Sequence, residues 1–150
     1  MPETPDDRST IDVCAALLEQ GRALDGLSRL LTVAALALLF AGAFGFVAKP
    51  VAIPVGLVAI GLGLVETRFA IRVGFDAALL RDVAHRIQFA SLDLALIRLD
   101  LMPPEKAGRP LDERLAGAMR LLRLQGLALG AQLGILVLGA LVAAILQGRA

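Results

Sequence analysis

The sequence predicts an all-α fold, a polytopic helical membrane protein with three transmembrane helices and helical cytoplasmic extensions. Apolar residues make up 57% of the 150-residue chain, above the roughly 45–50% usual in soluble domains, and the mean hydropathy is +0.76. The excess is gathered into three runs, 30–48, 51–65 and 124–146. Of the 15 Lys and Arg residues, all but Lys49 and Arg149 then fall on one side of a membrane crossed three times. Lys and Arg beside a span resist translocation, so that side is expected to be the cytoplasm. The expected location is the bacterial inner membrane, with a cytoplasmic N-terminus and a periplasmic C-terminus. A bacterial source is suggested by composition, since arginine supplies every base except Lys49 and Lys106.

The first nine residues hold Pro2, Pro5, Glu3, Asp6 and Asp7. Such a composition buries little apolar surface, and a flexible tail is expected over 1–9. The remaining residues, 10–150, read as one helical membrane domain. A helix is expected from Thr10, with Thr10 or Ser9 as N-cap. Cys14, Leu17, Gly21, Leu24, Ser28 and Leu31 recur on it at spacings of three and four. This helix is expected to pass into the first span, about 29–48, whose roughly 20 residues at about 1.5 Å each match a hydrocarbon core of about 30 Å. Many charged residues precede that run, and it exceeds the usual secretory h-region, so it reads as a retained span.

Lys49 and Pro50 make a tight connection, and Pro50 and Pro54 suit the opening turn of the second span, about 51–68. Spans one and two therefore form an antiparallel hairpin. A cytoplasmic helical section follows over about 66–123. Phe69, Val73, Asp76, Leu80, Val83, Ile87, Ala90, Leu94, Ile97 and Leu101 continue a three-four alternation that predicts a coiled-coil seam interrupted at Asp76. A second stripe, Phe89, Leu92, Leu96 and Leu99, makes the last portion apolar on two sides.

A straight helix over 66–101 would travel about 54 Å from the bilayer, while the return to Leu124 reaches only about 50 Å even with its loop extended. The helix is therefore expected to break, with Ser91 as a new N-cap, or to lie along the membrane interface. The residues after Met102 mark a surface turn. The third helix starts near Leu111, with Asp112 and Glu113 in its first turn, and runs into the span at about 124–146.

The most specific motif is Gly126, Gly130 and Gly134, a GxxxGxxxG series that lets another helix approach closely. Its partner is either the hairpin of the same chain, with small surfaces at Ala37, Ala41 and Gly45 or at Gly56, Ala59 and Gly63, or a second protomer. Gln125 and Gln132 lie on one side of the same span, as packing glue in preference to a pore lining. Glu66 and Asp76 complete the polar membrane set. Glu66 is expected to pair with Arg68 or Arg72 at the headgroup level in preference to acting as a proton or ion site. Asp76 is expected to set register in the seam.

His85, with Asp82 and Arg86, reads as a solvated face, and a single His lacks the ligand partners of a metal site. Cys14 reads as a small buried residue. No catalytic motif occurs, and Tyr and Trp are absent while serine is limited to Ser9, Ser28 and Ser91. No enzyme activity, cofactor or metal is expected. Arg alternates with Asp and Glu at near parity, so nucleic-acid binding is not expected. The expected partners are the lipid bilayer, further copies of the chain, as a homo-oligomer, or other membrane-protein subunits. The expected function is a non-enzymatic integral membrane subunit or scaffold; the alternative is a homo-oligomeric pore or ion-coupled conduit.

Overall fold

The computed structural model describes residues 5–47, 49–85 and 87–148. Helices α1 (Pro5–Glu19), α2 (Gly21–Ala43), α3 (Lys49–His85), α4 (Phe89–Arg98) and α5 (Leu111–Gln147), with a 3₁₀ turn over Pro104–Lys106, make up the described fold, and no strand occurs among the described residues. The all-α class and three helical runs long and apolar enough to cross a membrane, Asp6–Ala43, Lys49–His85 and Leu111–Gln147, are thus present.

Several boundaries differ from the sequence expectation. Helix α1 begins at Pro5, inside the segment expected to be a tail, because Pro suits an opening turn and Asp6 and Asp7 complement the helix dipole there. Ser9 and Thr10 are not caps; their hydroxyls donate back to the Asp6 carbonyl at 2.8 and 3.0 Å. Gln20 forms a turn between α1 and α2, so the first helix does not run unbroken into the span. Pro54 lies inside α3, past its opening turn.

The end of α2 is a Schellman motif. Phe46 N–H donates to Ala41 O at 2.8 Å and Gly45 N–H to Gly42 O at 3.1 Å, with Gly45 left-handed at φ 83°. The same pair of bonds closes α4, from Leu101 to Leu96 and from Asp100 to Ile97. There the left-handed residue is Asp100, φ 57°, which has a Cβ to accommodate.

The chain divides into two compact units. Unit 1 joins the residues up to Gly21 to Arg72–Leu122. Its core is Ile11, Cys14, Ala15 and Leu18 of α1, Val73, Ala77, Leu80, Val83 and Ala84 of α3, Leu92 of α4 and Ala118 of α5, with Phe89 and Leu96 packed against it. The seam therefore holds only as far as Val83. The chain leaves the helix at Ile87 and Gln88, and α4 starts from Gln88, not Ser91. This break changes the helical phase, so Phe89, Leu92 and Leu96 of the second stripe turn inward, while its last member, Leu99, is exposed and Ile87, Ala90, Leu94 and Leu101 turn outward. A continuous coiled coil is replaced by a short helix folded onto the core.

Unit 2 joins Arg22–Ile71 to the residues from Arg123 onward. Its buried positions are small or polar with the exception of Leu129: Ser28, Ala35 and Gly42 on α2, Ala52, Gly56, Ala59, Gly63 and Glu66 on α3, and Gln125, Ala128, Leu129, Gln132 and Gly139 on α5. The α2 and α3 sets step by three, four or seven residues, as do Gln125, Ala128 or Leu129, Gln132 and Gly139 on α5, which places each set on one helix face. The large apolar side chains point the other way, with Val33, Leu64, Leu127 and Leu141 all exposed. That inside-out pattern suits a bundle surrounded by hydrocarbon.

Candidate helix-packing site

Close approach in unit 2 is made where glycine meets a neighbouring helix. A Cβ on Gly42 would stand 2.7 Å from Ala52 Cβ, one on Gly56 would stand 3.1 Å from the Ala35 carbonyl, and one on Gly139 would stand 2.7 Å from both Val55 methyls. At Gly63 a methyl would run into the Thr32 hydroxyl, with Gln132 Nε2 2.9 Å away. These positions tolerate nothing larger without movement of the backbone or of a β-branched side chain.

The space conceded at Gly63 is filled by a polar lattice. Gln132 is fully buried, and its Oε1 accepts from Ser28 Oγ at 2.8 Å. Its Nε2 donates to Thr32 Oγ1 at 2.9 Å and to the Ser28 carbonyl at 3.3 Å. Thr32 Oγ1 in turn donates to that carbonyl at 2.9 Å. The amide thus has both of its ends occupied by α2, as an amide placed among apolar side chains requires. Seven residues earlier, Gln125 Nε2 donates to Glu66 Oε1 at 2.7 Å, tying α5 to α3.

Glu66 is 0% exposed. The expectation that Arg68 or Arg72 would pair with it is overturned, because Glu66 continues the inward stripe of Gly56, Ala59 and Gly63 whereas Arg68 and Arg72 are exposed. Its Oε2 has no hydrogen-bond partner among the described residues. Asp76, four residues after Arg72, is half-buried in unit 1 and faces the charge of that arginine.

Gly126, Gly130 and Gly134 lie on a different face of α5 from the two glutamines. A Cβ on any of them meets nothing within 4 Å. Among the described residues no other helix comes within 4 Å of those Cβ positions, although the small stripe Gly56, Ala59 and Gly63 named as an alternative partner is buried. Of the other proposed surfaces, Ala37 and Gly45 are exposed and Ala41 is half-buried.

Unit 1 contains a polar arrangement that sequence reasoning missed. Arg114 on α5 grips Asp93 on α4 through two bonds, Nη1 to Oδ1 at 2.9 Å and Nη2 to Oδ2 at 2.7 Å. Gly108 N–H adds a third at 2.9 Å, and the guanidinium lies 4.9 Å from the centre of the Phe89 ring, within cation–π range. Burial works to raise the Asp93 carboxyl, but the hydrogen bonds from Arg114 and Gly108 and the charges of Arg114 and Arg109 outweigh it. Asp93 is held below the ordinary carboxylate range. The only sequence signal was an acid inside an apolar stripe, since Leu92, Asp93 and Leu96 share the inner side of α4.

His85 is exposed, with Nε2 3.3 Å from Asp12 Oδ1; Arg86, expected beside it, lies outside the described residues. Cys14 is buried. No cluster of three or more His, Cys, Asp or Glu able to hold a metal occurs among the described residues. The chain matches no protein family, no curated protein and no solved structure.

Proposed function

We propose that this protein is a non-enzymatic integral membrane subunit or scaffold that assembles, through helix packing, with further copies of itself or with a larger membrane complex. One observation carries the reading: the three-glycine ridge of α5 is open while Gly42, Gly56, Gly63 and Gly139 all have close neighbours. The amide face of the same helix is already spent inside the chain. A glycine ridge gains contact only when another backbone comes close, and lipid tails conform to it poorly. The bacterial inner membrane, with a cytoplasmic N-terminus and a periplasmic C-terminus, is the location that the Lys and Arg distribution favours.

Gly130→Leu tests this reading. It is expected to weaken association measured by crosslinking in membranes without disturbing the chain's own fold, since Gly130 is exposed and a Cβ there meets nothing within 4 Å. Unchanged association would overturn the assignment of this ridge.

A homo-oligomeric pore or ion-coupled conduit is the second reading. It draws on the buried Glu66 oxygen that lacks a hydrogen bond, but the Gln132 amide is turned to α2 and not to a lumen. Flux into liposomes no greater than into empty vesicles, across a pH series, would eliminate it.

A further inference from the structure

Among the described residues, Glu66 is the only ionisable side chain buried in unit 2. One carboxyl oxygen, Oε1, accepts from Gln125 Nε2 at 2.7 Å, and the other, Oε2, is sealed from solvent with no hydrogen-bond partner. The neighbouring polar layer differs. Gln132, Ser28 and Thr32 bond to one another and carry no charge, whereas the neutral amide that donates to Glu66 leaves its negative charge uncompensated.

No side chain supplies the missing positive charge. Glu66 makes no ion pair among the described residues. On its own helix Arg68 and Arg72 are exposed, and on α5 Arg120 and Arg123 are exposed. About one turn before Ser28 on α2, Asp25 is engaged with Arg29 at 2.8 Å, so that arginine is committed elsewhere. A water molecule would hydrogen-bond Oε2 and leave the charge in place. An isolated buried carboxylate costs far more than a buried polar group, and a bound cation is the remaining way to offset it.

We propose that Glu66 holds one monovalent cation, a proton or an alkali ion, between α3 and α5 of unit 2. A single positive charge is what the site lacks. A divalent ion calls for more anionic ligands, and no cluster of three or more His, Cys, Asp or Glu occurs among the described residues. Gln125, whose Nε2 fixes one carboxyl oxygen, also carries an amide oxygen, a group able to ligate an alkali ion or accept a proton. Such a site needs binding alone and no passage across a bilayer, which separates it from the conduit considered above.

Thermal unfolding of the full chain in detergent tests the site, with sodium chloride exchanged for choline chloride at constant ionic strength and over a pH series. A ligand held only by the folded chain stabilises it by mass action. Sodium at about a hundred times its dissociation constant is expected to lower the ratio of unfolded to folded chain about a hundredfold, and Glu66→Gln, neutral and nearly isosteric, to abolish the response. Where the proton is the occupant, sodium has no effect, and stability falls with rising pH in the unmodified chain relative to Glu66→Gln. Taking the difference between the two chains cancels His85 and the other groups that titrate in both.

A difference that depends on neither sodium nor pH overturns the proposal. Should Glu66→Gln fail to fold, labelling of the unmodified chain at Glu66 by the lipid-soluble dicyclohexylcarbodiimide decides instead. Labelling suppressed by sodium assigns the alkali ion, and labelling suppressed only by alkaline pH assigns the proton. Labelling that is absent, or that responds to neither, overturns the site. Liposome flux equal to that of empty vesicles removes the conduit and leaves the cation site standing.

Discussion

The two units of this protein are held together by opposite chemistries. Unit 1 buries branched aliphatic side chains, Ile11, Leu18, Val73, Leu80 and Val83, and adds an ion pair of Arg81 with Glu19 at its surface and a largely buried one of Arg114 with Asp93. Unit 2 buries glycine, alanine, a serine, two glutamines and a glutamate, with Leu129 as its one large apolar residue among them, and exposes Leu30, Leu36, Leu64, Leu127 and Leu141. The first arrangement gains from taking apolar surface out of water. Surrounded by lipid, the second would gain nothing from that source, and close backbone contact and interhelical hydrogen bonds would have to hold it. The same helices, α3 and α5, serve both units by changing which residue types occupy the inward face along their length.

This contrast is sharpest at Asp93. Asp93→Ala leaves Arg114 buried without its partner, and an expected loss of about 3–5 kcal/mol follows, read from thermal unfolding of the full chain in detergent. The same pair predicts a pH dependence. Because the folded carboxyl titrates below its ordinary value, its contribution is complete above the unfolded pKa of about 3.9 and is lost as pH falls through the lower, folded one. Asp93→Asn is expected to flatten that acid limb. A limb that persists unchanged in the variant would assign it to other carboxylates.

Leu18→Ala probes the apolar side of the comparison. Leu18 is among the largest fully buried side chains, and truncating it is expected to cost about 2–5 kcal/mol in the same assay. In unit 2 the corresponding change is Gln132→Ala, which strands Ser28 and Thr32 and is expected to cost about 1–2 kcal/mol. Should Gln132→Ala prove as costly as Leu18→Ala, the two units would not differ in the way their cores suggest. The smallest effect belongs to the α4 terminus. Asp100→Gly relieves a left-handed non-glycine residue and is expected to stabilise by about 0.5–1 kcal/mol; no gain would show that the Asp100 side chain compensates for its backbone.

Much of unit 2 was legible before any coordinates. Gly56, Ala59 and Gly63, spaced three and four apart, were one of two candidate small surfaces, and two glutamines seven apart were expected to bond between helices, because hydrocarbon permits few reasons for either pattern. Unit 1 was legible only in part. Val73, Leu80 and Val83 followed the expected alternation, but a pattern continuing through Ile87 to Leu101 concealed the break at 87–88. No strong helix-ending residue stands there, and the length argument alone required a break without locating it. The caps misled for a related reason: Ser9 and Thr10 suit an N-cap and also bond back to a helical carbonyl, and the choice depends on what precedes them.

Composition and periodicity determined the helical class and the three helices long and apolar enough to cross a membrane, because apolar content and helical repeat are properties of the chain alone; the inward face of α5 is that of Gln125 and Gln132 and not the glycine series that the sequence marks most strongly. Partners were decided by tertiary structure. Among the described residues Gln132 is bonded to Ser28 and Thr32, Glu66 to Gln125 and not to an arginine, and Asp93 to Arg114, while the ridge of Gly126, Gly130 and Gly134 meets no other helix. A hydrogen bond forms between atoms about 3 Å apart, and residues separated by 59 or 104 positions, as Glu66 and Gln125 or Ser28 and Gln132 are, come within that distance only through the fold.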